Sequence, residues 1–247
     1  MFTVLAILTS GVAVGAQEGN GVSAGKDAGK KAGLPSAKTL FTKYVEALGG
    51  KEALEKVKSR VETGTVELLP FGLQGTFEIY AKAPDKMLVS ISLPQAGDIL
   101  DGFDGTRGWA RNAIEGFRVK TGEELERSKQ NSDFYWELNL EKHYPNAEVT
   151  GLEKDETREW YVVKADADTT LYFDSKTGLL IRSDREAVTA QGRTPTKTYI
   201  DGYREVGGLN QPSAVRQVLP QAEFRFNIEE LKFNVEIDDS KFAPPGK

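Results

Sequence analysis

From Val61 to Ile237 apolar side chains return at every second position, in short runs separated by turn residues. Phe77, Ile79 and Ala81 alternate with Glu78, Tyr80 and Lys82, and Met87, Val89 and Ile91 alternate with Leu88, Ser90 and Ser92. A period of two puts one set of side chains on one face of a sheet. The pattern predicts strands over 60–69, 73–82, 86–93, 97–103, 107–111 and 115–119. After one interruption it predicts more over 147–154, 158–165, 169–174, 178–187, 193–205, 212–220 and 222–235. About eleven of these stretches are expected to be strands. Ala83-Pro84-Asp85, Asp104-Gly105 and Asp174-Ser175-Lys176-Thr177-Gly178 supply turn chemistry, with Gly178 able to take the positive φ that closes a hairpin.

Helical spacing occurs in two places. Leu40, Phe41, Tyr44, Val45 and Leu48 share one face of a helix that starts near Ser36 and stops at Gly49-Gly50, and a shorter turn or two follows over 51–58. Thr121-Gly122-Glu123-Glu124 has the form of a capping box, predicting a helix from there to about Lys142, before Pro145. Its apolar residues crowd into the second half, where Phe134, Tyr135 and Trp136 are adjacent. Three neighbouring rings cannot all face one side: ordinary core packing is the first reading, and two rings in the sheet with one turned over a cavity mouth is the other.

Met1 to Ala16 is uncharged and mostly apolar, shorter than a comfortable membrane span, and ends Val14-Gly15-Ala16. A signal peptide cleaved near Ala16 is expected, although the n-region lacks the usual Lys or Arg. Residues 17–36 are Gly-, Ala-, Ser- and Lys-rich and predict a disordered linker, leaving 37–247 as the folded domain. The 247 residues carry 32 basic and 37 acidic side chains, a net charge of −5, which argues against nucleic acid as a partner. There is no cysteine, hence neither a thiol nucleophile nor the N-terminal Cys of an acylated lipoprotein. A periplasmic, monomeric protein with no transmembrane segment in its mature form is expected.

Candidate chemistry is sparse. The only histidine, His143, reads as a helix C-terminal residue favoured by the dipole. Asp98, Asp101 and Asp104 lack the spacing of a calcium loop and read as hairpin turns, as do Asp166 and Asp168. No catalytic set, metal site or cofactor site emerges, so the protein is expected not to be an enzyme. A large antiparallel sheet with a greasy face and no reaction chemistry is a container or a platform.

Several segments, taken in order, resemble the outer-membrane lipoprotein-sorting family, the LolA-like envelope proteins. They are Tyr44 to Leu54 (YVEALGGKEAL), Gly75 to Lys86 (GTFEIYAKAPDK), Asp101 to Trp109 (DGFDGTRGW), Leu171 to Asp174 with Thr177-Gly178-Leu179, and the ending Ile237 to Phe242. The resemblance spans about residues 37–244 and rests on strand and turn signatures. It implies a mainly β fold: an unclosed antiparallel β-barrel with helices covering its concave face and a hydrophobic cavity between them. In such a carrier the cavity receives acyl chains of lipoproteins or lipids. Physical chemistry agrees, since each exposed CH₂ costs about 0.8 kcal/mol in water. Strand parity and aromatic content nominate Phe77, Ile79, Met87, Val89, Ile91, Trp109, Phe117, Phe134, Tyr135, Leu138, Leu171 and Phe173 as the lining, with 121–142 as a lid. The alternative is an envelope sensor or assembly module that uses the same fold to hold a protein partner and fills the cavity with its own side chains.

Overall fold

The computed structural model describes residues 33–245. The expected leader 1–16, and the linker as far as residue 32, lie outside them. Two helices, α1 (Ala37–Ala47) and α2 (Lys51–Lys56), precede the sheet. Ser36 caps α1, its hydroxyl accepting from the Thr39 amide at 3.1 Å. Gly49 ends it in the left-handed region (φ 122°), where an added Cβ would lie 2.8 Å from the Gly208 carbonyl oxygen. That close approach lets the Asn210 side chain donate to the Ala47 carbonyl (2.8 Å), which ties the end of α1 to the sheet.

The strands are β1 (Ser59–Leu69), β2 (Leu73–Lys82), β3 (Lys86–Leu93), β4 (Gly97–Phe103), β5 (Gly108–Asn112) and β6 (Gly116–Val119). A connector holding α3 (Gly122–Asn131) and α4 (Leu140–His143) leads to β7 (Glu148–Lys154), β8 (Glu159–Lys164), β9 (Thr169–Asp174) and β10 (Leu180–Thr189). β11 (Gly192–Val206), β12 (Leu209–Leu219) and β13 (Ala222–Phe233) complete the series. All thirteen join one antiparallel sheet, rather than about eleven, in the order β6-β5-β4-β3-β2-β1-β13-β12-β11-β10-β9-β8-β7. The chain enters at the middle, runs out to one edge, crosses by the connector to the other, and returns to close β13 on β1. Strands β6 and β7 do not pair, so the barrel stays open.

Most strand limits match the alternation to within two residues. The exception is β12, expected from 212, which starts at Leu209. Gly207 and Gly208, both at positive φ, make a two-residue hairpin that pairs Val206 with Leu209, and Pro212 sits at an irregularity opposite Tyr203.

The predicted single helix over 121–142 is corrected: α3 ends at Asn131 and only turns join it to α4. Asp133 breaks it, with Oδ1 accepting from the Tyr135 amide at 3.0 Å and Oδ2 accepting from Asn139 Nδ2 at 2.7 Å. Nor does the capping box form. Thr121 makes no side-chain cap bond, and the Glu124 carboxylate, which would reach back to the Thr121 amide, is taken by Arg118 in a bidentate pair (2.6 and 2.8 Å).

Two apolar clusters lie on opposite faces of the sheet. The larger joins inward side chains of β1–β3 and β9–β13 to Leu40, Phe41, Tyr44 and Leu48 of α1 and to the connector. The smaller, on the outer face, gathers Leu88, Trp109, Ile237 and Phe242. It anchors the C-terminal segment, whose 3₁₀ turn Asp239–Phe242 takes a hydrogen bond from the Trp109 indole to the Phe242 carbonyl at 2.9 Å. Gly102 is required there, since an added Cβ would meet the Trp109 ring at 2.3 Å.

Candidate binding face between sheet and helices

Register explains which predicted residues come together. Phe77, Ile91 and Ile99 are cross-strand neighbours, as are Ile79, Val89 and Asp101, so these positions of β2, β3 and β4 share the inward face. Phe77, Ile79, Met87, Val89, Ile91, Phe134, Leu171 and Phe173 all fall in the larger cluster and are buried. Phe173 carries α1, its ring centroid 6.0 Å from Phe41 and 5.5 Å from Tyr44.

Trp109 and Phe117, expected in the lining, do not lie on the inner face. Trp109 pairs with Gly102, which pairs with Leu88, an outward position, so its ring belongs to the outer cluster. Phe117 lies 6.3 Å from it by ring centroids and is 42% exposed. Parity alone could not decide: strands β5 and β6 are short, and which set faces inward depends on their pairing with β4.

The aromatic triplet divides, on turns rather than a helix. Phe134 and Trp136 are buried, while Tyr135 is half-buried and turned toward α2. Its hydroxyl donates to the Val57 carbonyl (3.0 Å) and accepts from Lys58 Nζ (3.0 Å). Tyr135 and Leu138 border an open groove of about 810 Å³ between α1 and α2 on one side and the connector on the other. Phe41, Val45 and Leu140 add apolar surface, and Lys38–Glu141, a 3.1 Å ion pair between exposed groups, bridges its flank. The groove has the volume of a ligand site, with Phe41 and Leu140 shared with the apolar cluster and Glu46, Lys51, Glu55, Lys58, Glu137 and Glu141 also in its lining. Of the expected lining, then, Tyr135 and Leu138 meet the groove, and the strand residues lie deeper.

Below the helices sits a set of ionisable groups that sequence reasoning missed. Arg60 and Glu62, adjacent inward positions of β1, form a buried ion pair at 3.0 Å. Burial raises the Glu62 carboxyl above its ordinary value, against the lowering effect of Arg60 and with a further push from Glu137. Burial also drives the Tyr44 and Tyr203 phenols well above their usual range. The alternation does contain the signal, since Arg60 and Glu62 occupy the inward parity of β1, the parity of Val66 and Leu68.

The remaining candidate chemistry resolves into structure. His143 closes α4 and lies 2.6 Å, Nε2 to Oδ2, from Asp133. Asp104 accepts from the Thr106 and Arg107 amides in a hairpin turn, as expected, and Asp166 accepts from the Asp168 amide. Asp101 is corrected: it is a buried strand residue, gripped by Lys120 Nζ at 2.8 and 2.6 Å. Among the described residues no group of three or more His, Cys, Asp or Glu side chains could hold a metal ion, and no helix is long and apolar enough to cross a membrane. A smaller hollow of about 300 Å³ on the outer face holds Arg182 and Arg216, which stack on Tyr172 and Tyr199 and are neutralised by Asp184 and Asp201.

No protein-family model matches the sequence, and no curated protein matches it. Solved structures do. A DUF1329 family protein from Desulfovibrio piger aligns over 83% of this chain and 96% of its own at 14% identity, with a TM-score of 0.55. A LolA superfamily protein from Nitrosomonas europaea aligns over 85% of this chain and 98% of its own at 10% identity, also with a TM-score of 0.55. At such identities the likeness is one of fold, and together with the open sheet and its helix-covered inner face it gives the chain a LolA-like fold.

Proposed function

We propose that this is a non-catalytic carrier of the bacterial envelope that holds acyl chains of lipoproteins or lipids between the inner face of the sheet and its helices. It works in the periplasm and passes its cargo toward the outer membrane. The observation that carries the reading is the groove between α1, α2 and the connector, whose lining residues Phe41 and Leu140 are also members of the apolar cluster. An acyl chain gains about 0.8 kcal/mol for each CH₂ it withdraws from water, so depth of apolar wall is what such a protein needs. Reactive groups are not needed. Titration with a fluorescent fatty acid tests the reading: saturable binding is expected, weakened about tenfold or more by Leu138→Glu, which replaces one of the groove's few apolar side chains with a charge. Absence of binding by the wild type defeats it.

One observation favours a second reading, that of a sensor or assembly module for an envelope protein. Phe134 and Trp136 themselves occupy part of the inner cluster. Crosslinking in the intact envelope that captures a stable protein partner, on a chain that binds no lipid, is the result this alternative requires.

A further inference from the structure

The inner face is not uniformly apolar. Across β9–β12 one cross-strand row reads Leu171, Ser183, Thr198, Gln217, and it continues to Phe224 on β13. The next inward row reads Thr169, Arg185, Thr196. A sheet face that is Phe, Ile, Val and Met on β2 and β3 thus becomes hydroxyl, amide and guanidinium on the opposite side of the barrel. These groups are withdrawn from solvent: Thr169 and Ser183 are 0% exposed and Gln217 is 2%. Yet Thr169 Oγ1, Ser183 Oγ, Gln217 Oε1 and Arg185 Nε find no hydrogen-bond partner within the protein. Leaving such a group unpaired costs more than an ordinary hydrogen bond is worth, and native interiors carry few of them.

Arg185 is the centre of this patch. Its terminal nitrogens reach only neutral oxygens, Tyr144 Oη at 2.9 Å and Asn131 Oδ1 at 3.4 Å, and its guanidinium lies 5.3 Å from the Trp136 ring centroid. The side chain is held in place while its charge is left for something else. Thr169 is its direct cross-strand partner, and Ser183 is the next inward residue on its own strand. A cation flanked by two buried hydroxyls suits an oxyanion, which accepts from all three.

We propose, resting on the carrier reading, that the ligand is an anionic amphiphile: its acidic oxyanion head seats on Arg185, Thr169 and Ser183, and its chain lies along the apolar wall of β1–β3. A fatty-acid carboxylate and a phospholipid phosphate share that chemistry.

The test compares oleate and dioleoyl phosphatidate with the uncharged 1-oleoylglycerol, by competition against a fluorescent fatty acid. The proteins are the wild type, Arg185→Gln, Arg185→Lys, and the double variant Thr169→Val with Ser183→Ala. Arg185→Gln is expected to weaken the anionic ligands about tenfold or more and the neutral one hardly at all. Arg185→Lys, which keeps the charge, is expected to retain part of the preference. The double variant is expected to fall between, with its melting temperature as the control for folding. Stronger binding of phosphatidate than oleate makes the head a phosphate, and the reverse makes it a carboxylate. Equal binding of all three ligands, or equal losses for charged and neutral ligands in Arg185→Gln, overturns this inference and leaves the carrier reading standing. Binding of none by the wild type overturns both.

Discussion

Two acidic residues fix much of the structure, and the sequence shows neither role. Asp133 is partly buried, which by itself raises its carboxyl; the hydrogen bonds from His143, Asn139 and the Tyr135 amide outweigh that and hold it below the ordinary value of about 3.9. A carboxyl depressed in the folded state stabilises fully above its unfolded pKa and loses that contribution as pH falls through the folded one. Asp133→Asn is therefore expected to lower stability at pH 7 by roughly 1–3 kcal/mol, with the gap to wild type narrowing below about pH 4. Urea melts across that range check it. Asp101 shows why spacing misleads. Three aspartates at regular intervals read as turns, but the partner of this one, Lys120, lies 19 residues on and is brought back by the β4–β5–β6 meander. Both ends are buried, at 1% and 6% side-chain exposure, and Ser128 of α3 accepts a third bond from Lys120 at 2.8 Å. Lys120→Met is expected to cost about 3–5 kcal/mol by stranding a buried carboxylate, and Asp101→Leu in the same chain to recover part of it. A double-mutant cycle on chemical unfolding measures both.

At the scale of elements, the strands were legible and the connector was not. Period-two alternation survives wherever one face is buried and the other wet, as in β2 and β3, and it found those limits to the residue. The connector has no such regularity. Its capping-box letters are present at Thr121 and Glu124, yet a carboxylate that can bind an arginine in two places prefers that to a single backbone amide. The consequence is measurable. Thr121→Ala is expected to cost well under the usual ~1 kcal/mol of an N-cap, whereas Glu124→Gln, which leaves Arg118 to Glu115 alone, is expected to cost roughly 1–3 kcal/mol. Equal losses in thermal melts of the two variants would contradict the structural assignment. The site divides in the same way. Parity puts Phe77, Ile79, Val89, Ile91 and Phe173 on the inner face, where the register also places them, but it does not put Trp109 and Phe117 on their outer face, and the groove is invisible to it because the groove depends on how α1 and the connector dock.

For the whole molecule, one topological fact organises the rest. The connector joins the two unpaired edges, β6 and β7, and with α1 covers the inner face they leave open. Covering that face by segments whose bridges at the groove include the exposed Lys38–Glu141 pair makes it the part of the fold best suited to yield to a ligand. The outer face is built differently: the C-terminal segment is clasped by Trp109 and by Lys82 and Lys86, which hold the Asp239 carboxyl down to about 2. The resemblance read in the sequence foretold this architecture, because strand and turn signatures report on topology. Cargo is a matter of what the inner face touches. Native mass spectrometry of the protein purified from its own envelope tests that most directly: the account expects a population heavier by the mass of an acyl-bearing lipid, which delipidation removes and added fatty acid restores. A bare chain that takes up no acyl ligand would contradict it.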